Sequence, residues 1–240
     1  MKTKNLLKHI QGIGFAAGLL VAGQAQAVPV GLAIVLDQSG SISEANWNTQ
    51  VAGYANVLGG SLVNTDGSLV IGVWKFGSAV QQVFAPTLID SAADKNALVA
   101  AINAMTRITT GATAIGDGVL AAFNAFNAIY DLNLDFSRMV IDVSTDGVNN
   151  SGANPTTASN TALAGGVDQV NCLGIGGGAS CNWNPAGSLD FTASTFADFE
   201  RVLAIKIATE TGQVPEPSSL ALAGLGLLGL GAIRRNRRKV

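Results

Sequence analysis

Residues Val30 to Ser43 read VGLAIVLDQSGSIS. The five consecutive apolar residues Leu32 to Leu36 suit a strand buried on both faces of a parallel sheet, where alternation disappears because neither face meets water. Asp37 then falls at the carboxyl end of that strand, followed by hydroxyls at alternating positions, Ser39 and Ser41. Ligands of open α/β sheets collect at that edge, so a carboxylate and two hydroxyls on a tight, glycine-containing turn form an oxygen-rich cup. Such a cup suits a hard cation. Magnesium takes about six oxygen ligands at roughly 2.1 Å and keeps some water, so one segment does not complete the sphere and further oxygens must come from elsewhere.

Two later stretches offer them. Gly111-Ala112-Thr113 precedes a helical pattern and supplies a hydroxyl, while Ser144-Thr145-Asp146-Gly147 ends a second apolar strand and supplies another carboxylate. With the first stretch, these pieces resemble the von Willebrand factor A domain and its metal-ion-dependent adhesion site. That pattern is D-x-S-x-S, a threonine in a later loop, and an aspartate in a T-D-G step, matched by Asp37, Ser39, Ser41, Thr113 and Asp146. The resemblance covers about residues 30 to 210. It implies a divalent cation, Mg2+ with Mn2+ or Ca2+ as alternatives, held by those five residues and facing a partner's carboxylate.

Around these motifs the chain alternates strands and helices. Ser43 is placed to cap a helix in which Trp47, Val51, Tyr54 and Leu58 recur at helical spacing, an apolar stripe for the sheet. Residues 68–76 and 80–89 read as two strands around Gly77-Ser78, and Pro86 puts the second at the sheet's edge, running antiparallel. Helices follow at 91–105 and from Ile115 to Tyr130, then a strand at 138–143, a short helix at 156–163, a strand at 167–175, a short last strand around Phe191 and a helix at 195–209. The expected fold is a doubly wound α/β domain with a mostly parallel sheet, one antiparallel edge strand and helices on both faces.

Several polar residues need separate readings. Asp117 lies in the first turn of its helix, where a negative charge suits the helix dipole, with contact to the metal's surroundings as the alternative. Asp142 interrupts a buried strand and needs partners, for which a hydrogen bond to a neighbouring loop is the expectation. Residues 147–155, with three asparagines, read as a solvated turn-rich loop beside the cup, with contact to a ligand as the alternative. Trp183 reads as exposed within a loop over residues 176–189 that a disulfide would close.

Composition excludes other chemistries. A chain of 240 residues holds one core of about 180 residues plus targeting segments. Between positions 28 and 214 there are 6 basic and 15 acidic residues, a net charge of −9, which argues against a nucleic-acid partner. The sole histidine is His9, so later residues hold no Ser-His-Asp or Cys-His catalytic set and no histidine zinc site. A phosphohydrolase reading of Asp37 lacks a second acid two residues on, where Ser39 stands, and Ser39 and Ser41 do not lie in G-x-S-x-G. The expectation is therefore no enzyme. Cys172 and Cys181 flank glycine-rich sequence in a chain that reads as exported, which favours a disulfide, with free thiols as the alternative.

Both ends read as sorting signals. Residues 1–27 combine Lys2, Lys4 and Lys8, an apolar run around 13–21, and an A-x-A site ending at Ala27. This is the pattern of a secretory signal peptide, with a retained anchor as the alternative. The domain expected at 28–212 gives way to a tail at 213–240: Val214-Pro215-Glu216-Pro217, an apolar segment 218–233, and a basic end 234–239. The apolar segment makes roughly 24 Å of helix against a bilayer core of about 30 Å, and the basic end stays cytoplasmic. The tail resembles the PEP-CTERM sorting signal of Gram-negative bacteria. That resemblance implies transient anchoring in the inner membrane, processing by an exosortase, and delivery to the envelope surface or outside. The functional expectation is a metal-gated binder of a protein or matrix polymer bearing an exposed carboxylate. A structural matrix component, with the metal only stapling loops, is the alternative.

Overall fold

A computed structural model describes residues 28–107, 111–130 and 135–212. The expected leader with Ala27, and the tail with Val214, Pro215, Glu216 and Pro217, lie outside the described residues. Among the described residues no helix is long and apolar enough to cross a membrane, and the apolar segment 218–233 is not one of them.

The chain runs β1 (Val30–Asp37), α1 (Glu44–Gly59), β2 (Leu69–Phe76), β3 (Val80–Leu88), α2 (Ala92–Asn103) and α3 (Ile115–Tyr130). It continues through β4 (Arg138–Thr145), α4 (Pro155–Ala164), β5 (Gln169–Ile175), β6 (Asp190–Ala193) and α5 (Phe196–Thr211). The strands form one sheet in the order β3-β2-β1-β4-β5-β6. Only β3 runs antiparallel. It takes the edge, where the N–H that Pro86 lacks is not needed for a ladder.

This order positions the site. From β1 the chain moves outward to β2 and β3, then crosses back to β4 on the other side of β1. The direction of winding therefore reverses between β1 and β4, and their carboxyl ends carry Asp37 and Thr145-Asp146. A crevice at such a reversal is where open α/β sheets bind ligands.

The apolar run of β1 is buried on both faces. Leu32, Ile34 and Leu36 pack with α1, α2 and α5, while Ala33 and Val35 pack with α3 and α4. The first helix starts where expected, with Ser43 Oγ accepting from the Asn46 N–H at 3.2 Å. Trp47, Tyr54 and Leu58 lie inward from it.

Three expectations are corrected. Asp142 does not bond to a loop: its carboxylate pairs with Lys206 of α5, and both side chains are fully buried. Lys206 also holds Glu210 Oε1 at 2.6 Å, and Asn171 Nδ2 donates to the same oxygen at 2.8 Å. Burial pushes Glu210 up to about 8, with the charge of Asp142 adding to the shift and Lys206 opposing it. Trp183 is 5% exposed, packs with the α3/α4 side of the core and donates through Nε1 to the Ser180 carbonyl at 2.7 Å. Thirdly, the Cys172–Cys181 disulfide is formed, but the ring it closes ends at Cys181. The rest of the loop is held by side chains instead, among them Asn171, whose Oδ1 accepts from the Leu189 N–H at 2.7 Å.

Candidate metal centre

The floor of the cup is Asp37. As the last residue of β1 it is fully buried, and its carboxylate accepts from the Ser39 N–H at 2.7 Å and from Thr145 Oγ1, on the adjoining strand, at 2.6 Å. Buried Gln50 of α1 donates to the Asp37 carbonyl at 2.9 Å, so the strand end is fixed through its main chain as well. Ser39 Oγ lies 3.0 Å from Ser41 Oγ, and Ser41 donates to Asp146 Oδ1 at 2.5 Å. Four of the five expected residues are thus linked by short contacts across the reversal between β1 and β4. Ser39 is buried, Asp146 half-buried and Ser41 exposed, so the oxygens rise from floor to lip.

Thr113 reaches the same cup. A methyl group placed on Gly147 would lie 3.6 Å from Thr113 Oγ1 and 3.8 Å from Ser41 Oγ, so both hydroxyls border the same bare stretch of the Gly147 backbone. The asparagine-rich loop holds Thr113 there, which corrects the reading of it as merely solvated. Asn150 Oδ1 accepts from the Thr113 N–H at 2.8 Å, and Asn150 N–H donates to the Thr113 carbonyl at 3.0 Å. Asn149 Oδ1 accepts from the Ile115 N–H at 2.8 Å, satisfying a donor at the start of α3. Asp117 lies in the first turn of α3, and its carboxylate accepts from the Ala153 N–H of this same loop at 2.8 Å, a bond the sequence reading did not name. Gly116 packs so closely here that an added Cβ would sit 2.2 Å from the Ala153 carbonyl oxygen. Gly116→Ala should therefore destabilise the domain by about 1–3 kcal/mol, read as a lower urea midpoint with unchanged m-value.

The electrostatics suit a cation. Burial pushes the Asp37 carboxyl up to about 6; hydrogen bonds from Ser39 and Thr145 oppose this, and the negative charge of Asp146 adds to it. Asp146 is raised too, chiefly by burial, against hydrogen bonding from Ser41 and the charge of Arg107. Two acids and three hydroxyls converge without nitrogen or sulfur, the donor set of a hard divalent ion. Among the described residues Cys172, Cys181 and Asp190 also cluster, but two sulfurs bonded to each other are not thiolate ligands.

Residues 27–214 match the family described as "Protein of unknown function (DUF1194)". The chain belongs to the DUF1194 family. Residues 213–238 of this DUF1194 protein match the PEP-CTERM protein-sorting motif, the mark of an exported, surface-directed chain. No curated protein matches the sequence. The fold is similar to proximal thread matrix protein 1 of the mussel byssus, with TM-score 0.62 and 24% identity over 77% of this chain and 47% of that one. It is also similar to a von Willebrand factor type A structure from Catenulispora acidiphila (TM-score 0.61, 18% identity, 78% and 43% covered). A third similar structure is manganese-loaded TRAP protein of Plasmodium vivax (0.53, 20%, 75% and 74%). A further structure of the mussel protein is described with a zinc-occupied MIDAS motif. The DUF1194 chain spans about half the length of the mussel chains. Its fold is that of a von Willebrand factor A domain.

The DUF1194 protein braces its T-D-G loop from behind with the disulfide ring. Ser180 N–H donates to the Gly147 carbonyl at 3.1 Å, and a Cβ on Gly178 would lie 3.0 Å from the Asp146 carbonyl oxygen. Closing so short a ring restricts the unfolded chain, so Cys181→Ser should cost about 2–3 kcal/mol in chemical denaturation. It should also weaken any metal response, because Asp146 loses its backing.

Residues given no role in the sequence reading complete the site. Thr145 bonds Asp37 directly, Gln50 fixes the strand end, and Arg107 donates through Nη2 to the Ser39 carbonyl at 2.9 Å. Lys75, buried at the end of β2, donates to the Thr106 carbonyl, so two cationic side chains hold the start of the loop leading to Thr113. Thr145 was visible as the first letter of T-D-G. Gln50 had a signal too, a polar residue lying between the apolar stripe positions of α1.

Proposed function

We propose that this chain is an exported, surface-directed binding protein that holds a divalent cation through Asp37, Ser39, Ser41, Thr113 and Asp146 and captures an acidic group of a protein or matrix partner. The observation that carries the reading is the chain of short contacts from Thr145 and Asp37, through the Ser39 N–H and the Ser39 and Ser41 hydroxyls, to Asp146, with Thr113 Oγ1 beside Gly147 next to it. When bound, the cation supplies a Lewis-acidic position that a partner's carboxylate completes. The hydroxyls of Ser39, Ser41 and Thr113 are neutral ligands, so with Asp37 and Asp146 reaching the ion through water much of its charge would be left for that partner. Magnesium suits an all-oxygen set, and Mn2+ and Ca2+ suit it as well. The zinc and manganese described in the mussel and Plasmodium structures support a divalent ion here.

The acidic domain repels acidic partners at long range, so the attraction must be local and screened weakly over the few ångströms of contact. Residues 28–212 form the binding domain in this reading. Residues 213–240 anchor it transiently in the inner membrane and are processed by an exosortase. The test is capture from the producing cell's extracellular material on immobilised protein with Mg2+, followed by chelator. Release of a bound acidic partner by chelator is the expected result. A partner retained equally in chelator would replace the metal-gated role with that of a matrix component.

A further inference from the structure

Beside the cup stands a guanidinium that the metal reading does not use. Arg107 Nη2 is tied to the Ser39 carbonyl at 2.9 Å and lies 3.4 Å from that of Gln38, so the side chain is held against the very segment that carries two of the ligands. Its side chain is 13% exposed. Its Nη1 lies 3.6 Å from Glu44 Oε2, an ion-pair distance but too long for a hydrogen bond, and that Glu44 side chain is 73% exposed. Nε has no hydrogen-bond partner among the described residues. That Nε is buried, so the guanidinium meets a side-chain acid only at Nη1, through one loosely held carboxylate from the start of α1.

We propose that Arg107 is the second anchor for an acidic peptide carrying two carboxylates, and that Glu44 occupies the position of the second carboxylate until the peptide arrives. The inference rests on the metal reading, which supplies the first anchor. From standard bond lengths, a guanidinium touching the Ser39 carbonyl lies within roughly 8 Å of Ser39 Oγ. Side chains two apart on an extended strand point the same way and are spaced by about 7 Å, so a Glu-x-Glu segment spans the two anchors. Val148, 59% exposed next to Asp146-Gly147, adds an apolar contact that a peptide side chain can use and an acidic polysaccharide cannot. An exposed ion pair like Arg107–Glu44 is weak, and a carboxylate already tethered at the metal meets Arg107 at high effective concentration. Exchange of Glu44 for the ligand acid is therefore favourable.

The test uses the full chain with Mn2+ and two blocked peptides, Gly-Glu-Val-Gly and Gly-Glu-Val-Glu. The two-acid peptide should bind more tightly. Glu44→Gln should strengthen it a further two- to fivefold, roughly the worth of an exposed pair, and leave the one-acid peptide unchanged. Arg107→Gln should erase the difference between the peptides. In Mg2+-loaded protein, the arginine Nε–H resonance that disappears in Arg107→Lys should shift with the two-acid peptide and not with the one-acid peptide. Metal-dependent binding of both peptides with equal affinity, unmoved by Glu44→Gln, overturns this inference and leaves the metal reading standing. No binding of either peptide and no melting response to Mn2+ overturns both. An oligogalacturonate that matches the two-acid peptide and responds equally to Glu44→Gln overturns the assignment to peptides.

Discussion

Replacing Lys206 by methionine is expected to destabilise the domain by about 3–5 kcal/mol, because it strips the cation from two buried carboxyl groups. Lys206, Asp142 and Glu210 are all fully buried, and both carboxyls have an oxygen without a hydrogen-bond partner among the described residues. Their stability rests on the shared ammonium, which also lies 5.7 Å from the centre of the Phe191 ring. The melting temperature should fall by about 10 °C or more. A triple variant, Lys206→Met with Asp142→Leu and Glu210→Leu, removes the whole group and should recover most of the loss. If Lys206→Met alone leaves the melting temperature unchanged, the cluster does not hold α5 to the sheet.

The same cluster sets a pH dependence. Glu210 is raised to about 8 in the folded protein against an ordinary 4.5, so the folded state keeps a proton that the unfolded chain releases between those values. Stability from this group is therefore fully present below about 4.5 and is lost as pH rises through about 8, by an amount on the order of a few kcal/mol. Asp142→Asn removes the nearest like charge and leaves Glu210 to pair with Lys206 alone. Its urea midpoint should change less between pH 5 and pH 9 than that of the unmodified chain.

What could be read in advance depended on how local each signal was. The five apolar residues before Asp37 made β1 legible, and D-x-S-x-S and T-D-G made the ends of β1 and β4 legible, since each is a short pattern on one element. Pro86 placed the edge strand for the same reason. The Lys206–Asp142 pair joins residues far apart in sequence, and no local rule connects them. Yet a hint was present: Lys206 and Glu210 fall on the inward stripe with Phe199, Leu203 and Ile207, where a soluble helix carries charge only if something opposite receives it. Trp183 misled because glycine, asparagine and proline around it report on backbone turns and not on burial. The asparagines at 149 and 150 likewise looked solvent-facing until the start of α3 was placed beside them. Arg107 was invisible because its partners are main-chain carbonyls, which any sequence provides.

Asp37→Asn separates the proposed metal site from the fold that carries it. The amide is the same size as the carboxylate. Its oxygen can accept from the Ser39 N–H as Asp37 Oδ1 does, and its nitrogen can donate to Thr145 Oγ1, a hydroxyl able to accept as well as donate. Both buried contacts survive and a buried charge is gone, so melting without metal should stay within about 1 kcal/mol of the original. The metal response should not survive. A chain that binds Mg2+ only when folded gains about 2.7 kcal/mol at a hundred times Kd, a rise of about 5–10 °C for a domain of this size. Asp37→Asn should abolish that rise, because an amide supplies no charge at the floor of the cup. Thr113→Val, which deletes a neutral hydroxyl, should reduce it without abolishing it. Calorimetry of the three proteins with Mg2+ and with chelator is the check. A full response in Asp37→Asn would mean that the ion, if one binds, is held elsewhere, and the capture mechanism built on this cup would have to be abandoned.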